Sequence, residues 1–283
     1  MECVNVIYSY SSKSNYGGYN NKYLMGLSII ASHHSFISAM KHLNIKLNLL
    51  TDDEGKNFLV DVCGLWFDNV DLLFNSVTDH FAVTQLYAYQ QPNDEKIIHV
   101  NLDTFLFTTF PISILKSKIF CDYIVRNNAI DRVAFQYCRN HITYKDDIYM
   151  AIEESYYRND TIWSMETGVF GGSYTRLIND YSLNALNFFQ RNKFFQNTNM
   201  PIIMRLVENI YAYAFFKHHN IIVDTLIDRT KETEPDMFYH KLEQLNYIRL
   251  YGQSKQNTFL IDALEKLVKN YYPESYLKIK HLK

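Results

Sequence analysis

The segment IIHVNLDTFLF, residues 97–107, combines residue types that could do chemistry. An apolar run delivers Asn101 and Asp103 and then becomes apolar again. Side chains alternate in an extended segment, so residues 101 and 103 lie on the same side of it. A carboxylate and an amide placed in this way can hold a hard cation or a ribose hydroxyl. An aspartate that caps a turn at the end of a strand gives the same pattern, so a structural role fits equally well.

A second candidate segment is METGVFGG, residues 165–172. Gly168, Gly171 and Gly172 allow backbone conformations and close approaches that side chains forbid. Glu166 precedes them and could contact an acceptor molecule. A plain turn between two elements fits the same residues.

A third candidate is RLYGQSKQ, residues 249–256. Arg249 and Lys255 could neutralise a diphosphate while the backbone at Gly252 approaches it closely. The alternative is an ordinary polar loop before the last helix.

Glu208 stands within the apolar helical segment VENIYAYAFF. Burying a lone carboxylate is costly. The side chain is therefore expected either to face solvent or to point into a site.

Composition and missing motifs exclude several classes of function. The chain has 28 Lys and Arg against 30 Asp and Glu, which argues against a nucleic-acid-binding surface. Its four cysteines show no zinc-type spacing and favour free thiols in a reducing compartment, although an even number also permits two disulfides. The GxSxG, HExxH, GxxxxGK[ST] and GxGxxG motifs are absent, which disfavours hydrolase, P-loop and dinucleotide-cofactor functions.

Neither end of the chain nor its interior suggests a membrane segment. The first residues lack the basic and apolar regions of a signal peptide. No apolar run approaches the roughly 18 residues of a membrane helix. We therefore expect a cytoplasmic protein without a transmembrane segment.

The candidate residues must be positioned by alternating strands and helices. Apolar runs predict strands at residues 4–8, 45–50, 70–74 and 96–100. Helices are predicted between them at residues 23–43, 58–64 and 81–90, and further along the chain at 174–189, 203–217 and 259–268. This order is typical of an α/β fold with a mostly parallel sheet, whose ligands gather at the carboxyl ends of the strands. No Pro- or Gly-rich seam divides the chain, so residues 1–283 are expected to form one domain with a helical C-terminal portion.

Taken in order, these segments resemble the glycosyltransferase-A superfamily. They are most similar to family 8-type glycosyltransferases and to a related bacterial group of glycosyltransferase-like proteins. The matching stretches are VIYSYSSK, LLTDDEG, QLYAY, IIHVNLDTFLF and GVFGG, with Glu208 in its helix and YPESY near the end.

The resemblance extends to two motifs of the family 8-type enzymes. A DxD motif closes the strand that ends in NLD here, and a late HxxGxxK motif grips the donor diphosphate. Asn101 replaces the first aspartate and Arg249 replaces the histidine, and both are Mn²⁺-ligand positions in those enzymes. The resemblance therefore implies a weakened or absent Mn²⁺ or Mg²⁺ site on Asp103 and Asn101, with Arg249 placing a permanent charge beside the diphosphate.

The resemblance also implies a role for each half of the chain. Residues 1–110 would form a Rossmann-like nucleotide-binding half, and residues 111–283 an acceptor-binding, helical half. The implied donor contacts are Tyr8, Ser9, Asp52, Asn101, Asp103, Arg249, Gly252 and Lys255. The implied sugar and acceptor contacts are Glu166, Gly168, Gly171, Gly172 and Glu208. Asp103 and Glu166 carry the implied catalytic roles, Glu166 as a base for the acceptor hydroxyl.

The expected function is transfer of a sugar from a nucleotide-sugar, by default a UDP-sugar, to a glycan, protein or small-molecule acceptor. The alternative is a degenerate transferase fold that binds a nucleotide, a glycan or another protein without turnover. A wholly unrelated α/β protein is the remaining alternative. Slow hydrolysis of the donor would distinguish the enzyme from the binding protein.

Overall fold

The computed structural model describes residues 3–13, 19–75, 83–91, 96–194, 199–227, 247–250, 255 and 257–283. Its strands are β1 Val4–Ser9, β2 Ile45–Leu50, β3 Asn69–Asp71, β4 Lys96–Val100, β5 Thr104–Leu106, β6 Ile119–Cys121, β7 Tyr123–Arg126, β8 Trp163–Glu166, β9 Val169–Gly172, β10 Val223–Thr225 and β11 Tyr247–Arg249. Its helices are α1 Lys22–Met40, α2 Asp53–Lys56, α3 Thr84–Ala88, α4 Ala129–Arg139, α5 Asp147–Asn159, α6 Thr175–Arg191, α7 Met200–Met204, α8 Tyr211–His218, α9 Thr258–Tyr271 and α10 Pro273–Ile279. A π-helical turn, Asn57–Val62, continues α2, and a second one, Arg205–Ile210, joins α7 to α8.

The chain divides into two compact units. The first contains Met1–Phe81, Val100–Phe110 and Thr233–Lys283, and the second contains Ala82–His99 and Pro111–Glu232. The C-terminal helices α9 and α10 therefore group with the first strands, whereas the sequence-based division places them in the second half of the chain. The expectation of one domain over residues 1–283 stays a prediction.

In the first unit, three parallel strands end at one edge. Strand β1 pairs with β2 so that Ser9 lies opposite Leu50, and β2 pairs with β3 so that Leu50 lies opposite Asp71. The β1 residues up to Tyr8 are buried, as expected for a short β-branched run covered on both faces. The loops that follow these strands consequently begin side by side.

Helix α1 covers the first unit. Asn21 caps it by accepting a hydrogen bond from Leu24 N at 2.9 Å, and Leu27, Ile30 and Phe36 are buried. The helix packs against β5, α9 and α10. Strand β5 in turn pairs with β11 in antiparallel register, with residue 104 opposite residue 249.

The second unit contains both parallel and antiparallel strands. Strands β10, β6, β9 and β4 are neighbours in that order. Strand β6 runs parallel to β10 and antiparallel to β9, and β7 and β8 form a separate antiparallel pair. Helix α6 buries Tyr181, Ala185 and Phe188, as its periodicity predicts, and Ile178 as well. In the described part of the chain, no helix has the length and hydropathy needed to cross a membrane.

Two glycines of the GVFGG segment are required by the packing of β9. A Cβ atom at Gly171 would lie 2.0 Å from the carbonyl oxygen of Ile97. At Gly172, where φ is +151°, it would lie 2.0 Å from the carbonyl oxygen of Lys118. Neither distance is possible for a real side chain, so these positions accept only glycine without a shift of the backbone.

The α/β class and the mostly parallel, helix-covered strands predicted from the sequence are confirmed, and so is the helical C-terminal portion. Two elements differ in extent. The third predicted strand, residues 70–74, ends at Asp71 and gives way to a 3₁₀ turn over Leu73–Asn75. The helix predicted for residues 58–64 begins earlier, at Asp53, because Asp52 caps it there.

All four cysteines are free thiols, in agreement with the expectation from their spacing. Burial raises the pKa of the Cys63 and Cys138 thiols to about 12 each. Thiols with such pKa values stay protonated near neutral pH and are poor nucleophiles.

Candidate functional site

The chain leaves β4 through a tight turn that carries Asn101 and Asp103. Thr104 N donates a hydrogen bond to the carbonyl oxygen of Asn101 at 3.1 Å, and β5 begins at Thr104. Arg249 of β11 lies opposite Thr104, and Leu250 N donates to the carbonyl oxygen of Asp103 at 3.0 Å. Backbone pairing therefore brings the late motif beside the NLD turn.

Two cations meet at the Asp103 carboxylate, and these three side chains are called the Asp103 cluster below. Lys255 Nζ lies 2.7 Å from Oδ2, and Arg249 Nε lies 3.7 Å from Oδ1. Between 10% and 18% of each side chain is exposed. Burial would raise the pKa of the Asp103 carboxyl, but the charges of Lys255 and Arg249 outweigh it and hold that pKa below its usual value.

Tyr19 forms an aromatic wall next to this cluster. The Lys255 ammonium lies 4.9 Å from the centre of the Tyr19 ring, and the Tyr19 hydroxyl donates to Ser28 Oγ at 2.6 Å. Burial, together with the charge of Asp103, raises the pKa of Tyr19. Sequence reasoning missed this residue because it lies in a polar loop without a motif. Gly252, in contrast, was predicted to contact the donor and lies outside the described residues.

Asp52 ties together the loops that follow β1 and β2. Its Oδ2 accepts hydrogen bonds from Ser11 Oγ and Ser12 N, both at 2.9 Å. Its Oδ1 caps α2 by accepting from Gly55 N at 2.7 Å. Asp52 thus lies at the edge where β1 and β2 end, as predicted. Its carboxylate binds backbone N–H groups in the segments that follow both strands.

Tyr8 and Ser9, the two donor contacts implied at the end of β1, differ in their exposure. The ring of Tyr8 is fully buried and packs against His33, Phe36 and Phe67. Only its backbone is therefore left for a ligand. Ser9 is half-buried at the carboxyl end of the strand, beside Leu50 of β2.

In the second unit, Glu166 belongs to a buried ionic triad with Arg205 and Asp131. Arg205 is the cation that bridges the two carboxylates, through Nη1 to Glu166 and through Nε to Asp131. Ser164 donates to Asp131 Oδ2 at 2.5 Å, and Asn209 donates to Glu166 Oε2 at 3.3 Å. Sequence reasoning missed Arg205, although a charged residue within an apolar helical segment is the same signal that singled out Glu208.

The turn between β8 and β9 is held by another buried carboxylate, Asp122. Its oxygens accept hydrogen bonds from Gly168 N at 2.8 Å and Val169 N at 2.6 Å. The carbonyl oxygen of Glu166 accepts from Asp122 N at 3.0 Å. The Gly168 backbone, predicted to border the sugar, is thus fixed by this carboxylate.

Glu208 lies half-buried on the π-helical turn Arg205–Ile210. Its charge adds to burial in raising the pKa of Tyr181. A π-helical turn within a longer helix is frequent at functional sites. A half-buried carboxylate is compatible with both expectations from the sequence, a side chain that faces solvent and one that points into a site.

Among the described residues, Asn101 and Asp103 supply one amide and one carboxylate, and Asp103 already binds Lys255 and Arg249. Divalent cations need several oxygen ligands, so these two residues alone make an incomplete set. Across the described residues, no three His, Cys, Asp or Glu side chains form a group that could hold a metal ion.

A family model described as a family of unknown function, DUF6734, matches residues 1–282. None of the curated proteins matches the chain at a significant level.

Among solved structures, glycosyltransferases match between 72% and 98% of the chain at low sequence identity. GlyE of Streptococcus pneumoniae TIGR4 has 9% identity and a TM-score of 0.45, with 96% of this chain and 64% of that chain covered. The bifunctional glycosyltransferase WbbM has 13% identity and a TM-score of 0.51, with 98% and 52% covered. The galactosyltransferase LgtC, in complex with donor and acceptor sugar analogs, has 11% identity and a TM-score of 0.39, with 72% and 70% covered. The chain thus spans 64% of the length of GlyE and 52% of that of WbbM.

The fold comparison rests on WbbM, whose TM-score is 0.51. This match confirms the glycosyltransferase-like fold predicted from the sequence. The match to the family model covers almost every residue. The chain therefore belongs to the DUF6734 family, and its fold resembles that of the glycosyltransferase WbbM.

Proposed function

We propose that the chain transfers a sugar from a nucleotide-sugar donor to an acceptor, and that the Asp103 cluster binds the donor diphosphate. The observation that carries this proposal is the convergence of Lys255 and Arg249 on Asp103 in a chain with a glycosyltransferase-like fold. The resemblance of the two motifs to family 8-type enzymes favours a UDP-sugar as the donor.

The chemistry requires stabilisation of a leaving group. Transfer breaks the bond between the anomeric carbon and the terminal diphosphate oxygen, which departs with the electron pair. A bond forms between the anomeric carbon and the acceptor oxygen, whose proton passes to a base or to solvent. Fixed cations lower the energy of the charge that develops on the diphosphate. Arg249 suits this role because its guanidinium stays charged and presents a fork of donors.

Asp103 preorganises these cations before the donor arrives. It holds Lys255 Nζ at 2.7 Å, so the ammonium does not have to be ordered during binding. A diphosphate oxygen that takes over Lys255 would release a carboxylate oxygen. That oxygen could then accept a hydrogen bond from a ribose hydroxyl.

We further propose that the diphosphate binds without a divalent cation. Lys255 and Arg249 supply two positive charges in a place where the described residues give an incomplete donor set for Mn²⁺ or Mg²⁺. The dependence of nucleotide binding on a divalent cation therefore tests this proposal directly.

Glu166 remains our proposed acceptor base in the second unit. One oxygen of its carboxylate is bound by Arg205, and the other lies 3.3 Å from Asn209 Nδ2. The triad fixes the orientation of the carboxylate, as a general base requires. Replacing Glu166 by Gln should lower turnover while leaving the nucleotide-induced thermal shift unchanged.

The test is thermal unfolding of the purified chain with UDP, GDP or CMP, each in EDTA, Mn²⁺ or Mg²⁺. A ligand that binds only the folded state stabilises it by about 2.7 kcal/mol at 100 times its Kd. We expect UDP to raise the Tm in EDTA, and donor hydrolysis to follow when UDP-sugars are supplied. A shift that requires metal would contradict the metal-free site.

A second candidate is a nucleotide-binding protein without turnover. This candidate is favoured by the ion pair within the Asp103 cluster, because the Asp103 carboxylate already neutralises the charge of one cation. A thermal shift with no hydrolysis across a broad panel of donors and acceptors would select this candidate. The absence of a shift with every nucleotide would reject both.

A further inference from the structure

The second unit contains a cavity of about 280 Å³ that no part of the proposed transfer uses. Helix α5, strand β8 with the residues before it, and helix α8 form its walls. Its apolar lining consists of Ala151, Ile152, Ile162 and Ala214, its aromatic lining of Trp163 and Tyr213, and its polar lining of Ser155, Thr161, Lys217 and His218. The volume is close to the lower end of the range of small-molecule pockets, about 300–1,000 Å³.

One wall is a pair of aromatic rings. The rings of Trp163 and Tyr213 are stacked, with their centres 5.7 Å apart and their planes at 19°. The Arg126 guanidinium lies 5.6 Å from the centre of the Trp163 ring, and it donates to Thr161 Oγ1 at 3.3 Å. Burial raises the pKa of Tyr213, so its hydroxyl stays neutral at physiological pH. A ligand body would meet apolar surface that folding has already ordered.

The charge around the cavity is positive and uncompensated. Within the described part of the chain, no carboxylate lines it and Lys217 forms no ion pair. The neighbouring acidic residues are bound elsewhere: Glu153 to Lys145 at 2.7 Å, Glu154 to Arg158 at 2.6 Å, and Asp160 to Arg132 at 2.9 Å. An anion would therefore find an attractive charge at Lys217 without an acidic competitor.

We infer that this cavity binds a small amphipathic anion, an aromatic body that carries one anionic group. The body would lie among Ile152, Trp163 and Tyr213, and the anionic group would bind Lys217. This inference does not depend on the proposed transfer, because none of these residues belongs to the Asp103 cluster or to the triad of Glu166.

The experiment compares two dyes with the same ring skeleton. The first, 8-anilinonaphthalene-1-sulfonate, is an anion, and the second, N-phenyl-1-naphthylamine, is neutral. The chain has two tryptophans, and Trp66 is 63% exposed, so a Trp66→Phe variant leaves Trp163 as the only tryptophan. Energy transfer from Trp163 then measures dye binding, and the variants below show whether the dye lies in the cavity. We expect the anionic dye to bind about tenfold more tightly than the neutral one.

Three variants in this background locate the site. Lys217→Gln should remove the preference for the anion, and Ala151→Phe, at the exposed rim, should weaken both dyes. Lys116→Gln changes an exposed lysine of the same unit outside the cavity and should change neither. Circular dichroism and thermal melting confirm that each variant is folded.

Two results would overturn the inference. Equal affinity for the two dyes would mean that the cavity does not recognise an anion. Lys217 also lies in the last turn of α8, where a cation stabilises the helix C-terminus. If Lys217→Gln lowers the Tm but leaves the affinity for the anionic dye unchanged, that lysine serves the helix alone. If Ala151→Phe fails to fold, the dye pair and Lys217→Gln still decide the question.

Discussion

Lys255 Nζ and Asp103 Oδ2 lie 2.7 Å apart, although the two residues are distant in the sequence. Asp103 follows β4, whereas Lys255 precedes α9 and α10. The antiparallel pairing of β5 with β11 makes this contact possible, because it brings the chain at Arg249 alongside Thr104. The contact also defines the site on which the proposed donor binding depends.

Replacing Lys255 by Gln should weaken UDP binding by about 10-fold to 100-fold, since the lost contact is a charge-assisted hydrogen bond. Isothermal titration calorimetry in EDTA measures the effect. Lys145→Gln is the matched control, because Lys145 pairs with Glu153 on the surface of the other unit. Equal affinity of Lys255→Gln and the unchanged chain would remove Lys255 from the donor site.

The Asp103 cluster should also give a pH-dependent stability. Because the pKa of Asp103 is lower in the folded chain than its unfolded value of about 3.9, its contribution is present above that pH. The contribution is lost as the pH falls through the folded-state pKa. The difference in free energy of unfolding between the unchanged chain and Asp103→Asn should therefore be largest at neutral pH and shrink below about pH 4.

Urea unfolding from pH 7 to pH 2.5 measures this difference. Asp262→Asn, an exposed carboxylate on α9, is the control and should show little difference at any pH. A pH-independent difference for Asp103→Asn would show that the lost contribution is not electrostatic.

The buried ionic triad of Arg205, Asp131 and Glu166 should lose stability when its cation is removed. Arg205→Met leaves two buried carboxylates without a positive charge, and we expect a loss of about 3–5 kcal/mol. Arg205→Lys should also destabilise, because one ammonium cannot replace a fork that reaches both carboxylates. Adding Asp131→Asn and Glu166→Gln to Arg205→Met should recover part of the loss in guanidinium unfolding. Failure to recover any stability would place the cost in packing rather than in charge.

Gly171 should not tolerate a methyl group. Gly171→Ala would place a Cβ atom 2.0 Å from the carbonyl oxygen of Ile97, and we expect a loss of about 3 kcal/mol or more. Gly26→Ala on α1 is the matched control, because the nearest atom there, in Ile279, lies 3.4 Å away. Its stability should stay within about 1 kcal/mol of the unchanged chain. Similar melting temperatures for the two variants would contradict the close approach of β9 to the chain at Ile97.

Asp52→Ala should cost more than the loss of an ordinary helix cap. A cap contributes about 1 kcal/mol, and Asp52 also holds Ser11 and Ser12. Asn257→Ala is the comparison, since that cap of α9 accepts a single hydrogen bond, from Leu260 N at 3.2 Å. Chemical unfolding of both variants measures the difference. Equal losses would mean that the bonds to the first loop contribute nothing to stability.

The parts of the fold that could be predicted are those with a strong local pattern. Strands β1 and β2 are short, apolar and rich in branched residues, and α1 is a long, largely apolar segment between them, so their order alone indicates a parallel sheet. Strands β5 and β11 have three residues each and no pattern of their own. Their pairing follows from tertiary contacts and could not be predicted from either segment.

The candidate site shows the same limit. Asp103, Arg249 and Lys255 were associated through the order of two motifs, but that association implied contacts to a ligand and not an ion pair among them. Arg205 reaches Asp131 and Glu166 from distant parts of the sequence, and no spacing links the three. Tyr8 has the residue type of a ligand-binding ring, yet its position within an apolar strand sends the ring into the core.

The double role of Asp52 has a consequence for conformational entropy. Because one carboxylate holds Ser12 and Gly55, the start of the loop after β1 and the start of α2 do not move independently. A ligand that contacts both segments would meet a surface whose freedom was lost during folding, so that loss would not weaken binding a second time. This part of the strand edge is therefore ordered before any ligand is present.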